Sequence, residues 1–239
     1  MLADLHNHSC LSPCASLEMS PDLIAQTAAA KGIGLIALTD HNCTRNCPAF
    51  RDACKRYGLT PLFGMEVTTV EECHVLALFD DLDTAMEMNR WVAAAQPRLP
   101  LNLDYYSDQP VVDADDNIIE LLTYFLGQAT AHSIEAVGRQ TRELGGLFIP
   151  SHINRHAFSV ESQLGFLPPG DYDAIEVMPG TVDAYRRRYP DLAVITASDA
   201  HCPEQIGTWP FHLHLEGHDI ASIRRGLRNL ALSHLLSIP

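Results

Sequence analysis

Positive charge is scarce in this chain of 239 residues. Sixteen Lys and Arg stand against 30 Asp and Glu, a formal net charge of −14 with histidine neutral. Duplex nucleic acid is held largely by Lys and Arg neutralising phosphates. The balance therefore predicts no duplex nucleic-acid partner, while leaving room for a small phosphorylated substrate. Long apolar runs are missing too. No stretch reaches the roughly 18 apolar residues of a spanning helix. The opening Met1-Leu2-Ala3-Asp4-Leu5-His6 has neither the basic nor the apolar region of a signal peptide, so no membrane partner is expected. No Cys-x-x-Cys pair suggests a zinc ribbon, and no Gly-x-Ser-x-Gly suggests a nucleophile elbow.

What is present points elsewhere. Hydrophobic residues make up 46% and charged residues 19%, which predicts a folded core without disulfide staples. The seven cysteines, Cys10, Cys14, Cys43, Cys47, Cys54, Cys73 and Cys202, are odd in number, which suits a reducing cytoplasm. Cys47 and Cys54 share one helix face and read as core. The other five each lie within six residues of a histidine singled out below.

Strand and helix signals alternate about seven times. Strands are predicted at residues 1–5, 33–39, 60–63, 66–70, 74–79, 147–150, 174–177, 193–196 and 211–215. Helices are predicted at 21–31, 48–57, 82–96, 118–126, 133–144, 182–189 and 219–230, several bounded by a Ser-Pro start or a Gly stop. Residues 97–117 hold Pro97, Pro100, Pro110 and the turn Asp113-Ala-Asp-Asp-Asn117. Residues 97–130 read as an insertion or lid within one domain spanning 1–239. Alternation of this kind argues for parallel strands covered by helices, as a barrel or an open doubly wound sheet.

Metal-competent side chains follow nearly every strand: Asp4, His6 and His8; Asp40 and His41; Glu66; His74; His152; Asp199 and His201. In extended chain, residues i and i+2 point the same way. His6 with His8, and Asp199 with His201, can therefore each present two donors to one cation. Neutral imidazole suits zinc, iron or manganese, and a carboxylate can bridge two ions.

Six ordered motifs carry a resemblance: Asp4-x-His6-x-His8, Thr39-Asp40-His41-Asn42, Gly64-x-Glu66, His74-Val-Leu, Ser151-His152 and Ser198-Asp199-x-His201. Together they resemble the PHP (polymerase and histidinol phosphatase) superfamily, in its stand-alone phosphoesterase branch. The resemblance implies a distorted seven-stranded (β/α)7 barrel and three divalent ions, Zn, Fe or Mn. His6, His8, Glu66 and Asp199 would hold the first ion. Glu66 would bridge to a second held by His74 and His152, and His41 and His201 would serve a third. The family's usual further ligand in the loop after His8 is replaced here by Ser12-Pro13-Cys14, which makes Cys14 the candidate donor. Asp4 and Asp40 are expected to orient ligand imidazoles from outside. Arg155 and His156 are the candidate substrate-phosphate residues.

The implied reaction is phosphomonoester hydrolysis of a small metabolite or nucleotide, by a hydroxide held on the ions at Glu66, Asp199, His6 and His8. The alternatives are a phosphodiesterase or 3'-5' exonuclease on short nucleotides, and a non-catalytic metal or redox sensor suggested by the nearby cysteines. Three divalent ions would add six charges, bringing −14 to about −8.

Overall fold

A computed structural model describes residues 1–235. The strands are β1 (Leu2–Asp4), β2 (Leu35–Leu38), β3 (Thr60–Thr68), β4 (His74–Phe79), β5 (Pro110–Val112), β6 (Ile118–Leu121), β7 (Leu147–Pro150), β8 (Ile175–Glu176), β9 (Val194–Ile195) and β10 (Phe211–His212). The helices are α1 (Pro21–Ala30), α2 (Cys47–Tyr57), α3 (Leu82–Ala95), α4 (Ile134–Glu143), α5 (Val160–Leu164), α6 (Val182–Arg188) and α7 (Ile220–Leu235). Ser20 caps α1 by accepting from the Leu23 N–H, with Pro21 in the first turn. Gly58 ends α2 at φ 70°, a conformation glycine adopts without strain.

The main sheet has six strands in the order β10-β1-β2-β3-β4-β7, and β8 and β9 form a separate parallel pair. β1, β2 and β3 run parallel, with α1 and α2 as crossovers. β4 runs antiparallel to both β3 and β7. The parallel order expected from sequence fails there for a physical reason. Residues 69–73 connect β3 to β4, and a parallel pair needs a crossover of roughly a dozen residues or more. The reversal matters for the site, because it pairs His74, the first residue of β4, with Thr68 at the end of β3.

The result is an α/β fold with a curled sheet, and its strands do not form one continuous seven-stranded ladder. Single hydrogen bonds stitch the seams. Ile153 N–H donates to Glu176 O at 2.8 Å beside β8, and His8 N–H donates to Ala200 O at 3.0 Å beside β1. β8 and β9 have two residues each, too few for a ladder across those seams.

Both faces of the sheet are buried. On β2, Ile36 and Leu38 join the core beneath the helices, while Leu35 and Ala37 join a second core inside the curl. Ile220, Ile223 and Leu227 of α7 fill that second core. Among the described residues no helix is long and apolar enough to cross a membrane.

Three sequence expectations change. Residues 118–126 are not helical, since β6 pairs with β5 as a hairpin. The Asp113 carboxylate accepts from the Asp115 and Asn117 N–H groups, and Asp116 adopts φ 61°, so the acidic stretch is a tight turn between strands. The two strands expected over 60–70 are one, Thr60–Thr68. Of 211–215 only Phe211–His212 is strand.

Gly64 sits where β3 and β4 approach most closely. A Cβ there would lie 2.1 Å from the Ala77 carbonyl oxygen. Gly64→Ala should destabilise the fold by about 1–3 kcal/mol or more, as overpacking does. Urea unfolding should show a lower midpoint with an unchanged slope; an unmoved midpoint would refute the close approach.

Candidate metal centre

The exits of β1, β2, β7 and β9, the body of β3 and the first residue of β4 all face one point. There the Glu66 carboxylate is 1% exposed. Its Oε1 lies 3.0 Å from His152 Nε2, 3.1 Å from His74 Nδ1 and 3.4 Å from His6 Nε2. Its Oε2 lies 3.3 Å from His41 Nδ1 and 3.4 Å from His8 Nε2. Asp199 Oδ1 lies 3.3 Å from both His6 Nε2 and His8 Nε2. The His201 ring stacks on His8 with centroids 4.3 Å apart. Three overlapping donor groups result: His6-His8-Glu66-Asp199, His41-Glu66-His74 and His8-His41-His201.

Outer hydrogen bonds fix several imidazole tautomers. Glu176 Oε2 accepts from His6 Nδ1 at 2.8 Å. Ser12 has one hydroxyl proton and gives it to Asp40 Oδ1 at 2.7 Å, so at 2.9 Å from His8 Nδ1 it must accept. His201 Nδ1 donates to the Asp199 carbonyl at 2.7 Å. All three rings therefore turn Nε2 away from their outer partners. His6 Nε2 and His8 Nε2 are 3.1 Å apart, and two facing lone pairs need a positive charge between them. A second proton on His6 supplies it, or a cation does.

The electrostatics of the cluster agree. Burial alone would lower His6, but Glu176, then Glu66 and Asp199, raise it well above the ordinary histidine value. Burial alone would raise Glu66, but His74 and His6 hold it well below the carboxylate range. Asp199 is held low by His6 and His8 against the same opposing burial. His41 is driven well below by burial and then His8, and His201 falls to about 4 for the same two reasons.

The donor set fits divalent cations on two further observations. His41 Nδ1, His74 Nδ1, His152 Nδ1 and Asp199 Oδ1 are buried without a hydrogen-bond partner among the described residues. Asn42, His152 and Asp199, at the exits of β2, β7 and β9, hold φ of 50°, 27° and 46°. Such left-handed backbone costs non-glycine residues energy and persists where the surroundings demand it.

Two sequence expectations are revised, for Cys14 and Asp4. Cys14 is exposed and belongs to none of the three donor groups, because His8 stands beside His41 and His201 instead. Desolvation around its sulfur, then the negative Glu66 and Asp199, push its thiol up to about 12. Asp4 orients no imidazole. It accepts from the Ser198 and Gly207 N–H groups and so anchors the loop that carries Asp199. Arg155 reaches the site, but its Nη1 donates to Asp199 Oδ2 at 2.9 Å and its Nε to the Ala157 carbonyl. His156 is exposed beside it. Asp40 Oδ1 accepts from Ser12 Oγ, which accepts in turn from His8 Nδ1.

Glu176 and Ser12 were missed. A lone carboxylate inside the apolar run 174–177 was the available signal for Glu176. Nothing in the sequence marked Ser12, whose role depends on a loop folding back over Asp40.

Comparisons with known proteins come from sequence and from shape. The PHP domain matches residues 4–141. A PolC-type DNA polymerase III of Streptococcus suis is 34% identical over 83 residues, which is 35% of this chain and 6% of that protein. The 5'-3' exoribonuclease Rnm of Salmonella typhimurium is 31% identical over 87 residues, 34% of this chain and 29% of that protein. The lesion-specific endonuclease EndoQ of Pyrococcus furiosus superposes with a TM-score of 0.73 at 18% identity, over 96% of this chain and 56% of that one. A second Endonuclease Q structure, with a 27-mer duplex bearing an abasic lesion at its active site, gives 0.70 at 17% identity over 96% and 57%. The matched segments thus span well under two thirds of these proteins. With more than half of its length matched, six motifs in order and their donors gathered at one point, this chain belongs to the PHP domain family.

Proposed function

We propose that this chain is a metal-dependent phosphoester hydrolase, acting as a phosphomonoesterase on a small phosphorylated metabolite or nucleotide. The observation that carries the reading is one buried carboxylate, Glu66, shared by five imidazoles and flanked by Asp199. His6, His8, Glu66 and Asp199 would hold one ion; Glu66, His74 and His152 a second; His41 and His201 a third. A donor set this rich in nitrogen suits Zn, Fe or Mn better than Mg. Divalent ions supply Lewis acidity and lower the pKa of water, the two needs of phosphoester hydrolysis.

The chain's own groups do the rest. Arg155 holds Asp199 Oδ2 and leaves Oδ1 turned to His6 and His8. Its remaining N–H groups are available to non-bridging phosphate oxygens, and the exposed His156 can join it. Phe158 stacks on His74 with centroids 4.9 Å apart and forms an apolar wall. Residues 97–130 border the site as a lid or side wall of a single domain over 1–239, since Ser107 N–H donates to the Pro13 carbonyl beside Cys14. The unpaired cysteines fit a cytoplasmic setting. None belongs to a donor group, so redox sensing loses its motivating observation.

The second reading is phosphodiester or nuclease chemistry, favoured by the names of two comparison proteins, an exoribonuclease and a lesion-specific endonuclease. The fold itself does not exclude a duplex, because Endonuclease Q holds one. Assays on p-nitrophenyl phosphate, bis(p-nitrophenyl) phosphate, nucleotides and short oligonucleotides, with Mn²⁺, Zn²⁺ or Fe²⁺, separate the two. Faster turnover of monoesters supports the first reading, and faster turnover of diesters or oligonucleotides replaces it with the second.

His8→Ala and Asp199→Ala should each lower bound metal and reduce hydrolysis by on the order of 100-fold or more. Full activity in His8→Ala would sink the mechanism. Glu176→Gln removes the charge behind His6 but keeps a hydrogen-bond acceptor. It should weaken metal affinity about 10–100-fold, with turnover largely recovered at saturating metal. An unchanged affinity, measured by chelator competition, would remove Glu176 from the site.

A further inference from the structure

The hairpin β5–β6 lies outside the donor groups, yet an unbroken line of buried hydrogen bonds joins it to one of them. Val112 N–H donates to Asn46 Oδ1 at 3.0 Å. Asn46 Nδ2 donates to Ser9 Oγ at 3.0 Å and to the Pro110 carbonyl at 3.3 Å. Ser9 Oγ donates to Asp40 Oδ2 at 2.7 Å. Asp40 Oδ1 accepts from Ser12 Oγ at 2.7 Å, and Ser12 Oγ accepts from His8 Nδ1 at 2.9 Å. Asn46, Ser9, Ser12 and His8 are 0% exposed and Asp40 is 1% exposed.

The direction of each bond is forced. A backbone N–H can only donate, so the Asn46 oxygen must face Val112 and its NH₂ must face Ser9. Ser9 Oγ, accepting there, gives its proton to Asp40. Donors thus converge on Asp40 from the hairpin side and from the His8 side. Polarisation along such a chain strengthens each bond and binds its members into one unit.

We infer that Asn46 is a positioning residue that couples the hairpin to His8, so that docking of the hairpin sets the orientation of His8 Nε2 toward the cation. The inference rests on the metal-site reading above. Removing Asn46 takes one of the two donors from Ser9 Oγ and leaves the Leu11 N–H. The Ser9 N–H still holds Asp40 Oδ1 at 2.7 Å, so what loosens is the Ser9 Oγ bond to Oδ2, which sets the tilt of the carboxylate toward Ser12. His8 then keeps its place but loses its fixed ring orientation. Linkage makes the effect reciprocal, so cation binding also tightens the hairpin.

A double-mutant cycle tests this. Zn²⁺ affinity is measured by chelator competition in the wild type, Asn46→Ala, Ser12→Ala and the double variant. Asn46→Ala should weaken Zn²⁺ binding about 10-fold, yet add nothing further in the Ser12→Ala background. Additive losses would overturn the coupling, because a merely structural role for Asn46 would persist without Ser12. Asn46→Asp is the companion variant if Asn46→Ala unfolds. It keeps the acceptor for Val112 but loses the donor to Ser9, so Zn²⁺ affinity should fall while amide exchange at Val112 stays slow. Retained affinity in that variant would also overturn the coupling. The same cycle read on the His8 imidazole ¹⁵N resonances needs no ion. A wild type that bound no Zn²⁺ would overturn the metal reading alone, and the coupling would then stand or fall on whether Asn46→Ala shifts those resonances only when Ser12 is present.

Discussion

Everything at this site follows from burying one carboxylate. Glu66 sits inside β3 with almost no access to water, and a lone ion there would be very costly. Five imidazoles within 3.4 Å offset the cost only if positive charge is present among them. The protein can supply that charge as protons, as the raised His6 shows, or accept it as cations. Proton and cation thus compete for the same place, and the fold is organised so that six separate chain segments reach it.

That convergence explains the irregular parts of the fold. β1 and β9 stop after three and two residues, where the chain leaves the ladder to turn His6, His8 and Asp199 inward. Three non-glycine residues with left-handed backbone mark the turns at Asn42, His152 and Asp199. The reversal of β4 serves the same end, bringing His74 to the rim at the start of a strand rather than after it. A regular barrel with long strands would have had a stronger ladder and fewer donors at its mouth.

The donors were legible in the sequence because their spacing is local. His6 with His8, and Asp199 with His201, declare themselves by i, i+2 periodicity, and strand-end positions did the rest. Partners that depend on folding were not legible. Glu176 lies 170 residues from His6 along the chain, and Ser12 needs Asp40 to give it meaning. The α/β class came through, but the direction of β4 did not, because a short connection decides it and hydrophobic pattern does not. Residues 118–126 failed as a helix because the Asp113 turn folds β6 back onto β5, a pairing that no periodicity count detects. Cys14 was drawn in by its nearness to His8 in sequence; its thiol feels Glu66 and Asp199 but joins none of the three donor groups.

The completed site is asymmetric. His6, His8 and His201 each have a polar partner behind the ring, from Glu176, Ser12 and the Asp199 carbonyl. Behind the His152 ring the buried Nδ1 has none among the described residues, and the His74 ring lies against Phe158. Hydrogen bonds fix a ring's rotation, whereas stacking constrains its plane and lets it turn within it. The His6-His8-Asp199 side is therefore preorganised, and the His152 ring is freer to turn. Arg155 stands on the rigid side, bonded to Asp199. A phosphate bound through Arg155 would then meet fixed donors on one flank and the freer His152 on the other. That is the arrangement expected of a site that must hold one cation firmly while its other positions adjust as substrate enters and product leaves.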